Sequence, residues 1–236
     1  MTSKKDKAKE RYIHGMFTEI SHDYDFMNRL MTFGMDLRWR RLMIDMAGIP
    51  GGGRLLDVGT GTGDIPLEAM RIDPAMRITG VDFTVEMMAV GRRRKGAEKI
   101  QWCRADALSL PFPDATFDAV VSGFLLRNVV DVKAAFMEQV RVVKPGGHVV
   151  CLDTSPARQN MIRPFILFYL KIIIPFLGGL LTGKGDAYRY LTASSINFLQ
   201  PEVLAGIMRD VGLKDVGFKR MMFGNIAVHK GVRPEN

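Results

Sequence analysis

An α/β fold, a parallel sheet with helices on both faces, is what this sequence predicts. Three observations carry the expectation. Short apolar runs alternate with helical stretches between residues 54 and 154. The first run ends in a glycine turn, Gly59-Thr-Gly-Thr-Gly63, that opens a helix. After an interruption the alternation resumes and ends in two further strands. Such a βαβα order implies parallel pairing through right-handed crossovers.

The elements follow in order. Residues 9–47 read as helical, because Met16, Ile20, Tyr24, Met27 and Met31 recur at three- and four-residue spacing. Gly48-Ile-Pro-Gly-Gly-Gly53 stops that segment. Residues 54–58 form a short buried strand. Residues 65–72 are helical, with Asp64 placed to cap them. Residues 77–82 give a second strand and 85–95 a second helix. Residues 100–104 and 117–122 are the third and fourth strands. A helix over 131–142 ends at Lys144-Pro-Gly-Gly147, and 148–153 is the fifth strand. Residues 161–181 are then almost wholly apolar, interrupted only by Arg163, Pro164, Lys171 and Pro175. A helix over 201–210 and strands near 215–220 and 225–229 close the chain. The expectation is one domain over 1–236: a helical segment (1–50), an α/β core (51–154 and 199–231) and an insertion (155–198) that interrupts it.

A length of 236 residues, 47% of them hydrophobic, supports one large domain rather than two equal ones. Two cysteines, Cys103 and Cys151, make neither a disulfide scaffold nor a four-cysteine zinc site. The four histidines show no HExxH spacing, which argues against a zinc hydrolase. The net charge of +8 points to nucleic acid or an anionic membrane surface without choosing between them. Residues 1–10 are polar and Lys-rich and lack the apolar core of a secretory signal, so a cytoplasmic location is expected.

The stretch Leu55-Leu-Asp-Val-Gly-Thr-Gly-Thr-Gly-Asp64 is the most informative. Glycines let the backbone turn sharply and let a ligand lie against it. Gly59 and Gly61 begin a dinucleotide fingerprint, but the position of its third glycine holds Asp64. An acid there is awkward for a pyrophosphate at a helix N-terminus, and no Walker-type ending is present. The hhDhGxGxG pattern, with its early acid Asp57, resembles instead the first motif of S-adenosylmethionine-dependent methyltransferases. That ligand carries an ammonium and a sulfonium and no phosphate. Gly59, Thr62 and Gly63 belong to this loop. Asp82 ends the second strand nineteen residues after Gly63, where a carboxylate can accept both ribose hydroxyls. Asp106 and Ala107 follow the third strand, and Asp106 can accept from the adenine amino group. Phe83, Met87 or Trp102 is placed to pack on the adenine faces. Ser122 ends the fourth strand beside the expected methyl position.

Four stretches carry a closer resemblance. They are Met16-Phe-Thr-Glu-Ile-Ser-His-Asp-Tyr-Asp25 with Asn28 and Trp39-Arg-Arg41; residues 57–64; Leu110-Pro-Phe-Pro-Asp-Ala-Thr-Phe-Asp118 with Leu126-Arg-Asn-Val129 and Val143-Lys-Pro-Gly-Gly147; and Asp186-Ala-Tyr-Arg-Tyr-Leu191. The chain resembles the C-methyltransferases of menaquinone and ubiquinone biosynthesis. The middle motifs are shared by many methyltransferases; the first, the last and Leu-Arg-Asn-Val are more specific. The resemblance implies a class I S-adenosylmethionine-dependent methyltransferase fold with an antiparallel C-terminal edge strand. It implies cofactor contacts at Thr62, Asp82, Asp106, Ala107 and Ser122. It also implies methyl transfer to a ring carbon of a reduced prenylated quinone precursor, demethylmenaquinol first, with S-adenosylhomocysteine as the second product.

That chemistry asks for a phenolate. A phenol ionises near pH 10, so ionising it at pH 7 costs about 4 kcal/mol, and a nearby cation or base recovers part of that. Arg127 is the first candidate to stabilise the phenolate, with Asn128 beside it. His22 and Asp23 are candidates for the base, and Asp153, at the end of the fifth strand, is placed to orient a water as base. Tyr24, Tyr188, Arg189 and Tyr190 are candidates for lining the substrate side. His148 begins a strand rather than ending one and is set aside.

Residues 161–181 are long enough to suggest a membrane span. Lys171, Pro164 and Pro175, and the segment's place inside an α/β fold, favour an interfacial or lid element over an anionic surface. Arg158, Arg163, Lys171 and Lys184 would assist it. Peripheral association with the inner face of the membrane and a homodimer are expected partners; nucleic acid is not. The alternatives are another aromatic or lipid acceptor (a benzoquinol, a phenazine, a sterol) and an RNA-binding methyltransferase-like module.

Overall fold

The computed structural model describes residues 4–235; residues 1–3 and 236 of the expected domain lie outside them. Three helices come first: α1 (Lys4–Ile20), α2 (Tyr24–Met31) and α3 (Met35–Ala47). The core then runs β1 (Arg54–Val58), α4 (Asp64–Ile72), β2 (Arg77–Asp82), α5 (Val85–Arg92), β3 (Gln101–Arg104), β4 (Phe117–Gly123), α6 (Val132–Val142) and β5 (Val143–Thr154). The insertion holds α7 (Arg163–Phe168), a π-helical turn (Tyr169–Ile173), α8 (Ile174–Thr182) and α9 (Gly185–Ile196). The chain closes with α10 (Pro201–Asp210), β6 (Lys214–Met221) and β7 (Ile226–Val232).

Among the described residues the strands form one sheet in the order β3-β2-β1-β4-β5-β7-β6. Pairing is parallel from β3 through β5. β7 runs antiparallel to both β5 and β6. The antiparallel C-terminal strand is thus inserted one place in, and β6 holds the edge. The chain leaves β3 at one edge and returns beside β1 as β4. The crevice between the carboxyl ends of β1 and β4 is the switch point at which ligands bind in such sheets.

Alternation along the strands builds two core layers. Leu56 and Val58 face a cluster with Phe117, Phe136, Val149 and Met208, under α6 and α10. Leu55 points the other way, to Trp39, Met43, Ile65 and Ile78, under α3 and α4. A third cluster joins the N-terminal helices to the insertion through Met16, Ile20, Met27, Ile174, Tyr188 and Leu191.

Three local expectations need correction. Lys144-Pro-Gly-Gly147 does not separate a helix from a strand beginning at 148: β5 begins at Val143 and contains it, at an irregularity in its pairing with β4. The single helical segment over 9–47 is three helices, broken at Ser21–Asp23 and at Gly34, whose φ is +72°. Its apolar spacing survives the breaks because Met16, Ile20 and Met27 bury in the same cluster; periodicity reports a shared buried face, not continuity. Asp64 does not cap α4. Gly63, with φ +81°, holds the cap position, and Asp64 is the first helical residue, engaged by arginines.

Candidate active site

The crevice is lined by the glycine loop, by the ends of β2 and β4, and by one face of α1 carrying Glu10, His14 and Phe17. Gly59 and Gly61 take φ of +74° and +55°, a region open to glycine at little cost. A Cβ on Gly59 would lie 2.9 Å from Leu125, so the loop also needs glycine for space. Asp82 ties the loop to β2, its carboxylate accepting from the Gly61 and Thr84 amides at 2.8 Å each. Burial raises the Asp82 pKa, and the amides of Thr84 and Gly61 oppose the shift. Asp106 accepts from the Leu108 amide at 2.9 Å. Thr62, Phe83, Met87, Ala107 and Asn128 complete this part of the lining. The Phe83 ring meets His14 edge-on at 5.5 Å and has the Arg104 guanidinium 5.3 Å above it.

Four cofactor candidates stand elsewhere. Ser122 is buried in the sheet with its hydroxyl unpartnered, and its neighbours Gly123 and Phe124 line the crevice instead. Strand alternation turns Ser122 inward. Gly63 is outside the lining because it caps α4. Trp102 is behind the loop, packed where a Cβ on Gly63 or Gly91 would be, with its indole N–H donated to the Ala97 carbonyl at 3.2 Å. Asp57 lies beneath the loop, fully buried, with both carboxylate oxygens unpartnered.

Burial pushes the Asp57 pKa up to about 7, against a partial opposing effect of the Thr60 hydroxyl. A raised carboxyl pKa costs no stability below the unfolded value of 3.8 and costs progressively more as pH rises towards 7. The cost is at most about 4 kcal/mol once both states are ionised. Asp57→Asn is therefore expected to raise the melting temperature at pH 8 and leave it nearly unchanged at pH 4. Equal shifts at the two pH values would contradict the assignment.

A second, larger and mostly apolar cavity adjoins the crevice. Tyr24 and Phe124 line both. Its walls are the inner faces of α7, the π turn and α9, together with residues of α2 and the β6–β7 loop. Arg127 also lines this cavity. Its guanidinium is buried, bonded to Asp153 at 2.6 Å, and lies 5.1 Å over the Phe124 ring. Its Nε has no partner. Asn128 reaches the crevice; its Nδ2 donates to the Phe124 carbonyl at 3.1 Å and its Oδ1 is unpartnered. Tyr24 has its pKa raised, by burial first and against the charge of Arg127.

The remaining catalytic and substrate candidates are displaced. Asp153 lines neither cavity; it is the buried counter-ion of Arg127 and also accepts from the Thr154 amide, so it is not a free base. His22 is exposed in the α1–α2 turn and lines neither cavity. Asp23 pairs with Lys184 at 2.9 Å. Tyr188 is fully buried against Gly178, where no Cβ fits, and packs in the core. Arg189 is exposed and paired with Asp186 on its own helix. Tyr190 packs edge-on against Tyr12 at 5.3 Å and lines neither cavity. Of the four substrate-side candidates, Tyr24 alone lines a cavity.

The sequence reading missed an ionic network that fastens the N-terminal helices to the loop. Asp64 pairs with Arg29 and Arg40 at 3.0 Å and with Arg94 at 2.8 Å. Asp36 also engages Arg29 and Arg40. Asp25 takes Arg94 at 3.1 Å and accepts the Thr62 hydroxyl. Burial would raise the Asp64 pKa, but the three guanidiniums outweigh it and hold the carboxyl below its usual value of 3.8. Its contribution is thus present above about pH 4 and is lost as pH falls through the depressed value. Asp64→Ala is expected to destabilise the fold by about 2 kcal/mol, because three arginines are then left facing only Asp25 and Asp36. Urea unfolding at pH 7 measures this, and a loss under 1 kcal/mol would contradict a structural role.

The chain matches the model of the ubiE/COQ5 methyltransferase family over residues 5–233. A ubiquinone/menaquinone biosynthesis C-methyltransferase from Desulfotalea psychrophila is 45% identical, over 94% of this chain and 90% of that protein. A demethylmenaquinone methyltransferase from Thermus thermophilus is 42% identical, over 93% of this chain and the whole of that protein. Among solved structures, the cyclase SpnF aligns with a TM-score of 0.63 at 18% identity, covering 96% of this chain and 97% of SpnF. Haemonchus contortus phosphoethanolamine N-methyltransferase 2, solved with S-adenosyl-L-methionine, gives 0.61 at 17% identity, covering 84% of this chain. This chain spans about half of that enzyme's length, 52%. At such identities the likeness speaks for the fold alone, and a cyclase among the neighbours shows how little activity a fold dictates. Sequence identity over nearly the whole chain carries more: the protein belongs to the ubiE/COQ5 methyltransferase family.

Proposed function

We propose that the crevice binds S-adenosylmethionine and the apolar cavity a reduced prenylated quinone precursor, demethylmenaquinol first, which is methylated on a ring carbon. The observation that carries this reading is the junction at Tyr24 and Phe124, common to both cavities. A polar, acid-lined site thereby meets an apolar one across two side chains. The chemistry of the lining suits the cofactor: Asp82, Asp106 and Glu10 line the crevice, its arginine, Arg40, is neutralised by Asp36 and Asp64, and Asp57 lies unpartnered beneath its loop. Such a set welcomes an ammonium and a sulfonium and repels a pyrophosphate. When bound, S-adenosylmethionine would supply a methyl group activated by the positive sulfur; the carbon–sulfur bond would break as the ring carbon takes the methyl, leaving S-adenosylhomocysteine, and the ring would release one proton to water.

The chain's own residues do the rest. Asp82 accepts from the ribose hydroxyls and Asp106 from the adenine amine, while Phe83 and Met87 pack against the base. Arg127, held by Asp153, presents the positive end of a fixed ion pair to the acceptor cavity. There it lowers part of the roughly 4 kcal/mol needed to ionise a phenol at pH 7. Tyr24 stays protonated and offers its hydroxyl as a donor to the acceptor oxygen. The apolar walls hold the prenyl tail, which orients the ring towards the junction. A prenylated acceptor resides in lipid, so the protein works peripherally on the inner face of the membrane.

The test is turnover with methyl-labelled S-adenosylmethionine on reduced demethylmenaquinone beside reduced demethylated benzoquinone, with mass spectrometry locating the methyl. Label on a naphthoquinol ring carbon is expected. No transfer to either quinol would overturn the reading.

A further inference from the structure

Residues 163–182 form one continuous rod, α7, the π turn and α8, with a mean hydropathy of 2.1 and only 17% of its most apolar window buried. By length and composition such a rod can cross a membrane. Its inner face is already engaged. Ile166, Tyr169, Leu170 and Ile174 line the acceptor cavity. The Tyr169 hydroxyl donates to the Met31 carbonyl at 3.1 Å, and Gly178 seats the Tyr188 ring. The π turn lies just before Pro175, whose missing N–H and ring disrupt regular helix there. The rod thus remains unbroken.

Its outer face is different. Phe168, Ile172, Phe176 and Leu180 recur every four residues and are 57%, 54%, 65% and 68% exposed. None of the four lines either cavity. Phe165, 75% exposed, lines the acceptor cavity as well and so sets the cavity's mouth at the rod's edge. Phe33 and Phe223, 72% and 70% exposed, are further lining residues, and both hold left-handed φ of 53° and 57°.

Charge supplies the complement. Between Asp153 and Asp186 the sequence contains no acid but holds Arg158, Arg163, Lys171 and Lys184, which equal half of the net +8. Lys184 is taken by Asp23, leaving Arg163 and Lys171 on the rod itself.

We infer that the outer face of residues 163–182 is a docking surface for an anionic lipid bilayer, on which the rod lies flat with the acceptor cavity opening at its edge. The inference rests on the quinol reading for its biological sense, but not for its test. An exposed apolar stripe of this size flanked by cations matches an interfacial helix, whose binding combines apolar burial with attraction to anionic headgroups.

The experiment is sedimentation of the full chain with vesicles of phosphatidylcholine and phosphatidylglycerol, with neither cofactor nor quinol present. Wild type is expected to pellet with mixed vesicles, more weakly with phosphatidylcholine alone and more weakly at high salt. The variant F168S/I172S/F176S/L180S is expected to bind at least roughly tenfold more weakly, and K171E to lose part of the salt-sensitive component. Both should methylate a demethylated naphthoquinol lacking a tail at the wild-type rate. Wild-type vesicle binding by the quadruple variant would overturn the inference. So would a wild-type protein that ignores vesicles but changes from dimer to monomer with these substitutions, since a second copy would then cover the stripe. Failure of wild type to methylate any quinol would strike the proposed function and leave the sedimentation result standing.

Discussion

Replacing Arg127 by alanine is expected to slow methyl transfer roughly 10²–10³-fold, the loss typical of removing one preorganised group that stabilises developing charge. Cofactor affinity should stay within about twofold of wild type, because Arg127 lines the acceptor cavity and not the crevice. The residue is fixed by its bond to Asp153 and by its place over the Phe124 ring, so on the proposed function its guanidinium needs no rearrangement when an acceptor binds. The substitution also leaves Asp153 buried without its cation, at about 3 kcal/mol or more. Arg127→Lys separates the two effects: it keeps a cation near Asp153 and loses the planar fork. It should fold near wild type and recover part of the rate. Turnover and calorimetric affinity on both variants check this, and wild-type turnover in Arg127→Ala would remove the residue from the mechanism.

The largest effect on binding is expected at Asp82. Asp82→Ala should weaken S-adenosylmethionine by more than about 100-fold, the loss of two charge-assisted hydrogen bonds. The carboxylate has a second task, since it holds the Gly61 amide and so the shape of the loop. Asp82→Asn tests that separately: an amide of the same size keeps one acceptor oxygen, and intermediate affinity is expected. Unchanged calorimetric affinity in Asp82→Ala would refute the ribose assignment.

The elements that sequence reading placed well share a physical trait. β1 and β2, bounded at Arg54–Val58 and Arg77–Asp82, are apolar runs with polar flanks and local stop signals. α10 begins at a proline and runs Pro201–Asp210 as expected. The glycine loop was legible for the same reason, since turn chemistry is local. What failed was long-range. No local signal separates Tyr24, which joins two cavities, from Tyr188, which fills a core; the difference is the chain's path through the insertion. Asp153 looked like a base because strand-end acids often are. Its partner Arg127, on the loop after β4, decides otherwise. The network of Asp25, Asp36 and Asp64 with Arg29, Arg40 and Arg94 draws on α2, α3, α4 and the turn after α5, far apart in sequence. One clue was present: Asp64 stands where a dinucleotide site has glycine, and an acid there needs cations nearby.

The most direct test is a crystal structure of the protein with S-adenosylhomocysteine and a short-tailed demethylated naphthoquinol. The ribose should sit on Asp82, the thioether sulfur should face the gap between Tyr24 and Phe124, and the quinol ring should lie across it beside Arg127. A glycine-loop crevice left empty by the adenosyl ligand but filled by NADH would contradict the account, as would a quinol bound away from that junction.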